Sequence, residues 1–116
     1  MTGDSVDSIV AGYAESRVGQ RGISAYAWLV SVLRAHPGST STAVRHGSSS
    51  AVVTVVDGAA VLHSLTGEPE DSAVVIEQVR ESHGRDAALR GLALPGDRQT
   101  KNLFEEARLP AQVLLH

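Results

Sequence analysis

Six side chains in the second half of the chain are of the types that hold metals, phosphates or protons: His63, Glu68, Asp97, Arg98, Thr100 and Lys101. His63, Glu68 and Asp97 would together make an imidazole-and-carboxylate set for a divalent metal, and so for metal-dependent hydrolysis. Arg98, Thr100 and Lys101 are instead the types that bind a phosphate. Each residue also has a plainer use. Glu68 and Asp97 stand where a helix start wants an acid, and an acidic cap occupies the N–H groups that a phosphate would need. Lys101 reads equally well as a solvated side chain, and His63 as a core histidine satisfied by a hydrogen bond.

No other pattern offers a catalytic set. His36, His46, His83 and His116 share no paired metal spacing. The serines cluster at positions 39–41 and 48–50 with no Gly-x-Ser-x-Gly turn, and no Gly-rich phosphate loop occurs. With zero cysteines there is no thiolate nucleophile or thiolate metal site.

The elements that must position these residues begin with 51–65, AVVTVVDGAAVLHSL, two β-rich runs around Asp57-Gly58. That dipeptide between apolar runs is a strong hairpin signal. Taken as the two loop residues, it pairs Val56 with Ala59, Val55 with Ala60, Thr54 with Val61, Val53 with Leu62 and Val52 with His63. One face then carries Ala51, Val53, Val55, Ala60, Leu62 and Ser64. The other carries Val52, Thr54, Val56, Ala59, Val61 and His63. Neither suits water, so the hairpin belongs at the centre of a sheet covered on both sides.

A first helix capped by Asp4 or Ser5 aligns Val6, Ile9, Val10, Tyr13 and Arg17 on one stripe and stops near Gly19. A second, from Ser24 to about His36, is apolar around so much of its circumference that it is expected to be the most buried. Residues 40–45 suit a short edge strand. Pro69 with its following acids starts a third helix, to about Ser82, that buries Ala73, Val75, Ile76 and Val79 and stops at Gly84. Residues 87–94 read as a strand, 97–108 as a helix burying Leu103, Phe104 and Ala107, and 111–115 as a final strand.

The expected architecture is α/β, near the α+β border, with element order ααβββαβαβ. It is a single domain over 1–116: an N-terminal helix and break to residue 22, then a sheet-containing core. A mixed sheet holds the central antiparallel hairpin and a C-terminal βαβ unit, with helices on both faces. The loops 66–68 and 95–97 fall on one sheet edge if their strands are parallel neighbours, which is where ligands collect in such sheets.

A formal charge of −3 and 3% aromatic content give neither electrostatic pull toward nucleic acid nor a base-stacking platform. No apolar run approaches a membrane span, and acidic residues stand where a signal peptide would be basic, so a cytoplasmic protein is expected. The order helix, three strands, helix, strand is similar to the restriction-endonuclease-like core, over about residues 24–94. That resemblance implies a metal held by an Asp on the second strand and a Glu-x-Lys on the third. Here Asp57 ends the second strand, while the third reads Val61-Leu-His-Ser-Leu65 without Glu-x-Lys. Were 73–79 the third strand, Glu77-Gln-Val79 would supply the Glu alone.

The leading expectation is a non-enzymatic protein-interaction or regulatory module without cofactor, self-associating through the last strand, with Val113, Leu114 and Leu115 at the interface. Its rivals are a metal-dependent hydrolase or nuclease on His63, Glu68 and Asp97, and a small-ligand or phosphate binder at the βα-loop edge.

Overall fold

The computed structural model describes residues 2–83, 88–94, 96–109 and 111–113. Gly84, Ala87, Pro95, Leu114 and Leu115 lie outside them. The elements run α1 Thr2–Ser16, α2 Ile23–Ala35, β1 Thr40–His46, β2 Ser49–Val56, β3 Ala59–Thr66, α3 Pro69–His83, β4 Ala88–Ala93, α4 Arg98–Glu106 and β5 Ala111–Val113. This is the expected α/β order. The strands lie in the sheet as β1-β2-β3-β4-β5, with β1–β3 an antiparallel meander and β4 and β5 added in parallel.

All five hairpin pairs form in the expected register, from Val56↔Ala59 to Val52↔His63. Asp57 and Gly58 both take positive φ, 49° and 77°, the mirror-image turn that matches strand twist. β2 and β3 are interior strands, and Ala51, Val52, Val53, Ala60 and Leu62 are fully buried.

Two apolar layers cover the sheet. Val75, Ile76 and Val79 of α3 and Leu103 and Phe104 of α4 pack on Ala51, Val53, Ala60 and Leu62. On the opposite face Val6 and Ile9 of α1 meet Val52, while Tyr13, Tyr26 and Val30 meet Leu92 and Leu94.

The register shifts at the end of the hairpin, where Ser64-Leu65 on β3 opposes Ala51 alone between the pairs Val52↔His63 and Ser50↔Thr66. This bulge reverses the expected facing of the strand end. Ser64, expected beside Leu62, turns toward Tyr26 on the α1/α2 face, and Leu65 joins the α3/α4 layer instead.

Three further expectations need correction. α1 begins at Thr2, so Ser5 lies inside the helix, and α2 is capped by Gly22 without a side-chain bond from Ser24. In α3 the buried face is Ser72, Val75, Ile76 and Val79, and Ala73 is exposed, because the stripe runs one residue earlier around the helix. Most consequentially, α2 buries only Tyr26 and Val30 fully, and Trp28 is 67% exposed. Residues 73–79 are helical, which removes the reading of Glu77 as a strand-borne metal ligand.

Candidate functional site

β3 and β4 are adjacent and parallel, so the loop after β3 and the loop before α4 open on the same sheet edge. There a cleft of about 300 Å³ forms between the C-terminus of α1, the β1–β2 turn, the end of β3 and the starts of α3 and α4. Arg17, Glu68, Gln99, Thr100 and several hydroxyls line it, over an apolar floor of Leu65 and Leu103. A larger depression of about 540 Å³ lies at the β1 edge and has one charged side chain, Arg45.

The cleft's rim is held by short polar contacts. Asp71 accepts from the Ser48 backbone N–H at 2.8 Å and from the Ser48 hydroxyl at 2.7 Å, and the Glu68 N–H donates to Ser48 Oγ at 3.0 Å. The two bonds from Ser48 hold the Asp71 carboxyl below its usual range, the backbone one contributing most. Gly67 makes this closure possible, since at φ 113° a Cβ there would sit 2.5 Å from the Ser48 carbonyl oxygen.

Asp97 anchors the far wall. Its carboxylate accepts from the Thr100 N–H at 3.2 Å, the Thr100 hydroxyl at 2.7 Å, the Tyr13 hydroxyl at 3.2 Å and Arg17 Nε at 3.2 Å. It is therefore an α4 cap that also ties α4 to α1, across more than eighty residues of sequence. Asp97→Asn preserves the cap's acceptor but removes the charge that Arg17 and Tyr13 face. A loss of about 1–2 kcal/mol is expected, read as a lower urea midpoint with unchanged slope.

His63 does not reach the cleft. It is fully buried, with Nε2 2.9 Å from Thr54 Oγ1 and Nδ1 3.1 Å from Ser64 Oγ. The chain of polar contacts continues from Thr54 to Ser41 at 2.9 Å, and from Ser64 to the Tyr26 hydroxyl, which accepts the Ser64 N–H at 2.6 Å. Tyr26 in turn lies against Tyr13, with ring centroids 4.9 Å apart. Burial pushes both phenols well above their ordinary range, so they act as neutral hydrogen-bonding groups. Ser64 is held at φ 59°, a left-handed conformation uncommon for a residue with a Cβ, and these bonds hold it there.

The six residues singled out from sequence thus separate. Glu68 and Thr100 line the cleft, Asp97 stands behind Thr100, His63 is enclosed between sheet and α2, and Arg98 and Lys101 are exposed on α4 away from the lining. Among the described residues no three His, Asp or Glu side chains are grouped to hold a metal ion. Arg17 and Gln99 were not singled out. Arg17 did close the apolar stripe of α1, and that placement carries it to the sheet edge.

A second surface is uncharged. Ser24, Ala27, Trp28, Ser31, Val32 and Ala35 are all exposed and fall at i, i+3, i+4, i+7, i+8 and i+11, one continuous stripe along the outer side of α2. Beside it a groove of about 130 Å³ runs between Leu29 and Leu33 of α2 and Val61, Arg90, Gly91 and Leu92 of the sheet, its lining apolar except for Arg90. The final strand, where Val113 lies, forms the opposite edge of the sheet from β1.

Among the described residues no helix is long and apolar enough to cross a membrane. No protein-family model, no curated protein and no solved structure matches the chain.

Proposed function

We propose that the chain is a non-enzymatic protein-interaction module that associates with a second copy of itself through the outer stripe of α2. The observation that carries the reading is Trp28, the one tryptophan of the sequence, left 67% exposed in a stripe without a charge. A helix apolar on all sides is ordinarily covered on all sides. Burying one indole ring removes about 150 Å² from water, roughly 4 kcal/mol before the costs of association.

A second copy is the occupant that suits this stripe. It offers no charge for an oppositely charged partner to meet, and it alternates the large Trp28 and Val32 with the small Ala27, Ser31 and Ala35. A two-fold pairing sets large against small, lays the helix dipoles antiparallel, and brings each Trp28 near the neighbouring groove of the other copy. The metal-dependent hydrolase draws no support from β2 and β3, which carry no acidic residue.

Light scattering after gel filtration tests this. The wild-type chain is expected at twice its 12.1 kDa mass, Val32→Glu at the monomer mass with unchanged circular dichroism, and a chain lacking residues 111–116 still as the dimer. A Val32→Glu dimer, or a wild-type monomer at every concentration, contradicts it.

A further inference from the structure

The cleft at the carboxyl ends of β3 and β4 stands apart from the α2 stripe, and its charges are of both signs. Arg17 lines it from the turn that follows α1 and Glu68 from the loop before α3, and the two do not form an ion pair with each other. A guanidinium has five N–H donors. Nε and Nη2 of Arg17 are taken by Asp97, each at 3.2 Å, and one from Nη1 by Ser16 Oγ at 2.9 Å, which leaves two. Asp97 compensates the Arg17 charge, and the two remaining N–H donors are what Arg17 offers to a ligand.

The Gln99 side chain and the apolar Leu65 and Leu103 complete a lining that encloses about 300 Å³, the small end of ligand-site volumes. A ligand suited to this lining carries an anionic group for Arg17, a cationic group for Glu68 and a short aliphatic body for the leucines. We propose that the cleft binds a free α-amino acid with an aliphatic side chain, carboxylate on Arg17 and ammonium on Glu68. The ordinary opposition of acidic helix caps to anions does not apply here, because the carboxylate meets Arg17 and not the backbone N–H groups of α3 or α4. The surroundings are pre-formed: Ser48, Asp71 and Gly67 fix the loop bearing Glu68, and Asp97 fixes Arg17.

Calorimetric titration of the full chain with L-leucine tests this, beside 4-methylpentanoate, which lacks the ammonium, and isoamylamine, which lacks the carboxylate. Leucine is expected to bind at least about tenfold more tightly than either analogue. Glu68→Gln, an exposed position, is expected to lower leucine affinity by about tenfold or more and to leave 4-methylpentanoate unchanged. The Val32→Glu chain is expected to bind leucine as the wild type does, so the outcome is independent of self-association. No heat with leucine up to about 10 mM, equal affinity for all three compounds, or wild-type affinity in Glu68→Gln would each overturn the assignment.

Discussion

Lowering the pH from 7 to 4 is expected to remove about 3 kcal/mol of stability through His63 alone. Burial, with a smaller contribution from the Arg34 charge, brings this imidazole from 6.5 down to about 4 in the folded chain. Above pH 6.5 the ring is neutral in both states and the stability is fully present. As the pH falls through 6.5 the unfolded chain takes up a proton that the folded chain refuses, and stability declines until the folded ring also protonates near 4. The gap, at about 1.4 kcal/mol per pH unit, makes the 3 kcal/mol. Arg34 is paired with Asp7, and the polar neighbours of the ring are the neutral hydroxyls of Thr54 and Ser64, so among the described residues no acid is placed to shelter the imidazolium. Urea titrations at pH 7, 5.5 and 4 check this against His63→Gln. Carboxylates titrate in both chains, so the difference in slope belongs to His63, and equal slopes would contradict the assignment.

The second large effect lies on the other face, where α4 rests on β4. Phe104 is fully buried, and a Cβ added at Gly91 would stand 2.5 Å from its ring. The missing side chain of the strand is thus the seat of the ring. Phe104→Ala empties that seat and is expected to cost about 4 kcal/mol. Gly91→Ala, which forces the ring aside, costs about 2 kcal/mol. The two are coupled: in a Phe104→Leu background, where no ring edge meets the new methyl, the Gly91→Ala penalty is expected to fall by more than half. Additive losses in the double variant would show that the methyl is accommodated elsewhere.

How much of this was legible in the sequence follows from which forces act locally. The hairpin register was readable to the residue because side chains alternate strictly and the Asp57-Gly58 turn leaves one pairing. The bulge two residues further on was not. It places a serine in a conformation that sequence reasoning assigns to glycine, and it is held by Tyr26, thirty-eight residues away. The parallel pairing of β4 with β5 followed from their short helical connection, whereas that of β3 with β4, and so the shared edge of the loops bearing Glu68 and Asp97, stood only as a condition, because strand order leaves no local signal. That Tyr13 and Arg17 would cross to Asp97 was not readable, since tertiary contacts of that range leave no periodic trace.

The α2 helix is the instructive failure. An apolar circumference was read as deep burial, yet the same pattern serves a helix with one side on its own sheet and the other turned outward. Periodicity reports how apolar each side of a helix is; it does not say which side its own sheet covers. His63 is the hydrogen-bonded core histidine that one of its two readings allowed, enclosed between sheet and helix and away from the sheet edge.

The emission of Trp28 tests self-association most directly, because no other tryptophan contributes to the signal. At high protein concentration the emission is expected to be blue-shifted and poorly quenched by iodide, moving to the red and becoming quenchable on dilution at a midpoint that Val32→Glu abolishes. Red, fully quenchable emission at every concentration would leave the stripe facing water in solution and contradict the α2 dimer.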